Sequence, residues 1–223
     1  GSPVVNELGF LNNTYLIVGG DFDSAGSVSC SGLCFYNLNE TNWEALVDSF
    51  SGTVHAFRFV NDTVLIIAGD LRYDSNDLKL MSYDFNSTSH SHPDHFSQLN
   101  RTVEKFILVD NSTDGRIIVS GSDFIQAYDG SSWRSIDNEL NNSTIRDISL
   151  LNISNSNDNN NGSIFDSNQV LVASGELNLT DYGYLNVAYF NSTNWLPYMI
   201  TTHNNSTSTV NSIFLNKDIS DLY

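Results

Sequence analysis

The chain has 223 residues, and 26 acidic against 9 basic side chains leave it a formal charge of −17. That charge repels nucleic-acid phosphates and anionic lipid headgroups, and so few scattered lysines and arginines cannot build the basic patch either ligand needs. The length suffices for a substantial core, no apolar run approaches the roughly 20 residues that cross a bilayer, and no charged-then-apolar leader opens the chain.

In chain order, one apolar run closed by glycine keeps returning. It reads Leu16-Ile17-Val18-Gly19-Gly20, Leu65-Ile66-Ile67-Ala68-Gly69, Ile117-Ile118-Val119-Ser120-Gly121 and Leu171-Val172-Ala173-Ser174-Gly175, with closing glycines 49, 52 and 54 residues apart. A period of that size marks a repeated β unit rather than a single sheet built once. Each repeat divides into four strands. First strands are predicted over 5–11, 54–60, 103–109 and 145–151, and the glycine-ended runs are second strands, apolar throughout as a strand covered on both faces should be. Third strands converge on Tyr36, Tyr83, Tyr128 and Tyr189. Fourth strands open near Trp43, Trp133 and Trp195, while the second repeat has His90 to Phe96 in that place. Gly20, Gly69, Gly121 and Gly175 are read as positions where the chain adopts a positive dihedral or passes close to its neighbour, and the aromatics as fillers between adjacent twisted sheets. The expected architecture is all-β: one propeller domain over 1–223, with repeats at 5–50, 54–100, 103–140 and 145–200 and an extra terminal strand at 210–215.

The second-to-third connectors are read as long loops over 21–33, 70–80 and 176–187, and loops on a rigid scaffold usually carry binding. Their acidic and tyrosine side chains, Asp21, Asp23, Tyr73, Asp74, Asp77, Asp181, Tyr182 and Tyr184, are the candidate protein-binding residues. Residues 152–168 are dominated by Asn, Ser and Asp, with only Ile164 and Phe165 as adjacent large apolar residues, and read as a mobile loop.

Cys30 and Cys34 are the only cysteines. Ser31-Gly32 supplies a sharp turn between them, which favours a small disulfide loop; a metal site would need further ligands in register. Asn-x-Ser/Thr triplets begin at Asn12, Asn39, Asn61, Asn86, Asn100, Asn111, Asn141, Asn142, Asn152, Asn161, Asn178, Asn191, Asn204 and Asn205, 14 in all. That is about twice what random placement gives, and it points to a secreted, glycosylated chain. Asn12, Asn61, Asn111 and Asn152 follow first strands, and Asn39, Asn86 and Asn191 fall between third and fourth strands. The expectation is a rim of sugars at one end of the propeller. The start at Gly1-Ser2 reads as the remnant of a tag, so the chain is expected to be an excised extracellular segment.

No catalytic constellation emerges, and no metal or cofactor is expected. His90-Ser91-His92-Pro93-Asp94-His95 contains zinc-ligand types but lies in a serine-rich loop. Asp21, Asp23, Asp70, Asp74, Asn76 and Asp77 offer oxygen ligands without the spacing or central glycine of a helix-loop-helix calcium site. Asp129-Gly130-Ser131-Ser132-Trp133 resembles the aspartate turn of sialidases, yet Arg58, Arg72, Arg101, Arg116, Arg134 and Arg146 occupy unlike repeat positions and form no substrate-carboxylate cluster.

The glycine-ended run followed by a spaced Tyr and Trp resembles a divergent kelch repeat, so the propeller is expected to be kelch-like, with four-stranded antiparallel blades. More closely, Gly19-Gly20-Asp21-Phe22, then Cys30-x3-Cys34, Tyr36 and Trp43, is similar to repeats of the fungal cortical marker glycoproteins of bud-site selection. The resemblance implies a non-enzymatic ectodomain of a single-pass membrane protein at the bud neck and division sites. It also implies a protein partner at the cell surface or in the same membrane. A lectin-like module reading cell-wall glycan is the alternative, for which an exposed aromatic row beside acidic groups would be the sign.

Overall fold

The computed structural model describes residues 2–45, 50–86, 89–91, 96–109, 115–140, 142–152, 169–199 and 210–213. The chain folds as β1 (Val4–Leu11), β2 (Tyr15–Asp21), a small ribbon of β3 (Ser24–Ala25) and β4 (Val28–Ser29), β5 (Leu33–Asn37) and β6 (Asn42–Ala45). There follow β7 (Phe50–Phe59), β8 (Val64–Tyr73), β9 (Asn76–Asp84) and β10 (Ser89–Ser91), then β11 (Lys105–Leu108), β12 (Ile117–Gly121), β13 (Phe124–Tyr128) and β14 (Trp133–Ser135). The last set is β15 (Thr144–Asn152), β16 (Gln169–Leu179), β17 (Gly183–Phe190) and β18 (Trp195–Met199). Apart from the ribbon, they make four antiparallel sheets of four strands, each an up-and-down meander with its first and last strands at the edges.

The closed kelch-like propeller is therefore corrected. Among the described residues no strand pairing links one four-stranded sheet to another, all four stay open, and the chain divides into two compact units. Closing a ring removes edges by pairing or covering them, and the expected extra terminal strand at 210–215 does not supply that pairing. Val210–Ile213 lies in no strand, and residues 214–215 fall outside the described residues. The segment instead lays Val210 and Ile213 against Leu151, Val170, Val172 and Val187 of the fourth sheet. Asp147 Oδ2 anchors it by accepting from the Ile213 amide at 2.9 Å and the Ser212 hydroxyl at 3.0 Å.

In the first unit, Leu11, Ile17, Leu33 and Phe35 of the first sheet pack against Val54, Phe57, Leu65, Ile67, Met81 and Tyr83 of the second. In the second unit, Ile118, Ile125 and Ala127 of the third sheet meet Ile148, Leu171, Ala173, Ala188, Phe190 and Trp195 of the fourth. The second strands form the centre of both cores. Ile17, Leu65, Ile67, Ile118 and Leu171 are all fully buried, and each such side chain contributes about 1.5–3 kcal/mol of transfer free energy.

One device recurs where the second strand ends. The first strand bulges between Val5 and Glu7 opposite Gly20, between Val54 and Ala56 opposite Gly69, and between Ile145 and Asp147 opposite Gly175. A Cβ at these glycines would sit 2.0 Å from the carbonyl oxygens of Val4, Thr53 and Thr144 respectively. The bulge brings that carbonyl over the glycine, so only hydrogen fits. In the third sheet the first strand stops at Lys105, paired with Ser120, and Gly121 has no such bulge opposite it.

Two of the three connectors read as long loops, 70–80 and 176–187, are largely paired strand. The β8–β9 hairpin runs on to the Tyr73–Asn76 pair, with Asp74 and Ser75 at φ 45° and 70° in a two-residue turn. The β16–β17 hairpin runs on to the Leu179–Gly183 pair, with three residues at its tip. Alternating Leu71, Tyr73 and Leu80 with the half-buried Leu78, and likewise Leu177, Leu179, Leu185 and Val187, turn one face of each extension inward. The third-strand aromatic of the fourth sheet is also corrected. Tyr36 stands opposite Trp43 and Tyr128 opposite Trp133, but it is Phe190, not Tyr189, that stands opposite Trp195.

Candidate functional site

Each sheet turns from its third strand to its fourth over the same element. Asn37 Oδ1 accepts from the amides of Asn39 and Glu40, Asp84 Oδ1 from that of Asn86, Asp129 Oδ1 from those of Ser131 and Ser132, and Asn191 Oδ1 from those of Thr193 and Asn194. A short side-chain acceptor thus satisfies amides that the strand ladder leaves open. The aspartate turn at 129–133 is one of these four, a structural part of the repeat. Hydrogen bonds from the Ser131 hydroxyl and from the Ser132 and Ser131 amides pull the Asp129 carboxyl down to about 2. Its folded value lies below the unfolded value, so its stabilising contribution is complete above pH ~4 and is lost as pH falls toward 2. Asp129→Ala is expected to cost less than about 1 kcal/mol, because the group is solvent-screened. Thermal melts at pH 7 and pH 2.5 check this: the deficit shrinks at the lower pH.

The turns also place the glycosylation acceptors. Asn12, Asn39, Asn61, Asn86, Asn100, Asn142 and Asn191 are exposed, and Asn178 is half-buried. Asn61 Oδ1 accepts from the Thr63 amide and hydroxyl at 2.8 and 3.0 Å. Asn152 ends β15, while Asn111, Asn141, Asn161, Asn204 and Asn205 lie outside the described residues, as do Ile164, Phe165 and the rest of the segment read as a mobile loop. With no closed ring, the expected sugar rim reduces to acceptor turns at one end of individual sheets.

At the other end of the first sheet, Cys30 and Cys34 are joined by a disulfide with Cα atoms 5.5 Å apart. It clamps the β3–β4 ribbon and thereby the segment that carries Asp21 and Asp23, both exposed. A bond of this kind persists in an oxidising compartment.

The β8–β9 tip of the first unit is polar. Asp74 and Asp77 are exposed, and Asp77 faces Arg72 across the hairpin at 3.1 Å. Lys79 and Thr102 each donate to Asp70 at 2.6 Å, and His55 lies 3.9 Å away. Burial opposes the Asp70 charge, yet the Lys79 and Thr102 hydrogen bonds and the Lys79 and His55 charges outweigh it, so the carboxyl sits below its ordinary value. Tyr73 is only 8% exposed and belongs to the core, so its ring is not presented to a partner. Burial and the adjacent Asp74 carboxylate push its phenol up.

The β16–β17 tip of the second unit differs. Leu177, Leu179 and Leu185 anchor its base in the core, while Tyr182 and Tyr184 stand 49% and 79% exposed beside the exposed Asp181. Tyr184 pairs across the hairpin with Asn178, whose amide donates to the Ser143 hydroxyl at 2.8 Å. Two exposed tyrosines on a rigid hairpin suit protein recognition, since such rings bring contact area at low entropic cost. Trp195, by contrast, is 2% exposed and offers no ring face. Its indole donates to the Ile136 carbonyl at 2.5 Å, and its amide to Glu139 Oε2 at 2.6 Å.

Among the described residues no group of three or more metal-ligating side chains converges. His90 and Ser91 lie on β10, and His92, Pro93, Asp94 and His95 lie outside the described residues. Sequence reasoning placed Asn191 in this turn as an acceptor but missed Asn37 and Asp84, although an Asx residue just after the third-strand aromatic marks every repeat.

A family model described as the Rax2 C-terminal beta propeller domain matches residues 2–223. The chain belongs to the Rax2 family. It is 38% identical over 208 residues to the polarized growth protein RAX2 of Candida albicans, covering 87% of this chain and 15% of that protein. It is 29% identical over 224 residues to the bud site selection protein RAX2 of Saccharomyces cerevisiae, covering 95% of this chain and 17% of that protein. The chain thus spans about one sixth of the length of these curated relatives. Extracellular domains of a hybrid two-component system and of a one-component system, both from B. thetaiotaomicron, align with TM-scores of 0.52 and 0.51 at 14% identity. They cover 92% and 96% of this chain and 23% and 30% of those chains, a likeness of fold alone. The resemblance to fungal markers of bud-site selection is confirmed by these matches. Among the described residues no helix is long and apolar enough to cross a membrane.

Proposed function

We propose that this chain is an extracellular, glycosylated interaction module of a fungal cell-surface protein that marks sites of polarised growth, at the bud neck and division sites. The family carries the reading, since its relatives are named for polarized growth and bud site selection. The disulfide and the density of acceptor asparagines support the extracellular side. The recognition element is the β16–β17 tip, where Tyr182, Tyr184 and Asp181 meet a protein partner at the cell surface.

Tyr182→Ala with Tyr184→Ala in the full-length protein tests it. Both rings are exposed, so the variant is expected to reach the surface at the normal level and to randomise the choice of new bud sites. Unaltered bud-site choice at a normal surface level would refute this role for the tip. The same two rings beside an acid favour a second reading, a lectin that binds cell-wall glycan. Selective binding of the deglycosylated chain on a glycan array, abolished by the double variant, would establish that reading instead.

A further inference from the structure

The bulges and cross-strand pairs give the first, second and fourth sheets a common register. Val5 of the first sheet corresponds to Val54 and Ile145, Leu8 to Phe57 and Ile148, Phe10 to Phe59 and Leu150, Leu16 to Leu65 and Leu171, Tyr36 to Tyr83 and Phe190, and Trp43 to Trp195. Within each sheet these positions share one face. In the second and fourth sheets that face is core, packed on the sheet that precedes it in the chain. Val54 and Ile145 are 0% and 3% exposed, and Phe57 and Ile148 are 3% and 6%. In the first sheet the same positions are bare: Val5, Leu8 and Phe10 are 55%, 58% and 63% exposed, and Leu16, Tyr36 and Trp43 are only half-buried.

We propose that this face of the first sheet is a docking surface for a further four-stranded sheet of the same register. That sheet would be supplied by the part of the polypeptide that the longer relatives carry beyond the matched region. The relatives hold about six times the matched length, which leaves ample chain for it. The observed packings say which face the occupant must bring. The second sheet sets this face against Leu11, Ile17, Leu33 and Phe35, the opposite face of the first sheet. The mate is thus an opposite face, not a copy of the same one. A second copy of the chain fits poorly, because the corresponding opposite face of the fourth sheet is already covered by Val210 and Ile213, and two chains of charge −17 repel. The inference stands apart from the role proposed for the tip.

Maleimide labelling of Leu8→Cys tests it, with Ser132→Cys in the exposed turn of the third sheet as the control, in the 223-residue chain and in the full-length protein, counted above the unsubstituted proteins. Both thiols are expected to react readily in the short chain. In the full-length protein the Leu8→Cys thiol should react at least about tenfold more slowly while the control is unchanged. Phe10→Cys should follow Leu8→Cys, which separates burial from a folding defect in one variant. Equal labelling of Leu8→Cys in both proteins would overturn the proposal. So would protection already present in the short chain together with a dimer in sedimentation, since a second copy would then be the occupant.

Discussion

Gly69→Ala is expected to lower the melting temperature by about 6–12 °C, the shift that about 3 kcal/mol produces in a chain of this size. The added methyl would lie 2.0 Å from the Thr53 carbonyl oxygen, and Gly69 has φ 155°. The obstacle is backbone held in a bulge, so no side-chain rotation relieves it. Gly175→Ala meets the Thr144 carbonyl at the same distance and should cost a similar amount. Gly130→Ala is the control for positive φ alone, because a Cβ there meets nothing within 4 Å at φ 96°. Calorimetry of the three variants decides the matter; a Gly69→Ala loss no larger than that of Gly130→Ala would mean that the bulge is not a close approach.

Trp195→Ala is expected to be comparably destabilising, about 3–5 kcal/mol, since the ring is 2% exposed within the core of the second unit. Trp195→Phe separates packing from hydrogen bonding. Phenylalanine refills much of the space but leaves the Ile136 carbonyl without its indole donor, which costs about 1–3 kcal/mol. Trp133→Phe, at the equivalent but only half-buried position of the third sheet, should lose less. Denaturant midpoints of the three variants give the order, and near-equal losses for Trp195→Phe and Trp133→Phe would contradict it.

The repeat, the strand order within each sheet and the closing glycines were legible because they are local. Three or four apolar residues running up to a closing glycine mark a buried strand wherever they stand, as Leu65 to Gly69 and Leu171 to Gly175 show. The aromatic of the fourth repeat was misplaced by one residue. The β16–β17 tip has three residues where the β8–β9 tip has two, so Phe190 lies one position further from its glycine than Tyr83 does. The 14-residue gap from Gly69 to Tyr83 reads as a loop over 70–80, although Leu71, Tyr73, Leu78 and Leu80 carry the alternation of a half-buried hairpin. Ring closure was not legible at all: it depends on how sheets distant in sequence meet, and local periodicity does not encode that. Tyr73 and Tyr184 looked alike as candidate contacts, and only packing separates them, one in the core and one at the surface.

The central claim is that four copies of one sheet-building register form the chain, each centred on its glycine-ended second strand. Hydrogen exchange followed by mass spectrometry tests it most directly. The account predicts that amides across Leu16–Val18, Leu65–Ile67, Ile117–Val119 and Leu171–Ala173 exchange slowest, and those of the exposed 74–75 turn far faster. A second strand exchanging as fast as that turn in any one of the four sheets would contradict it.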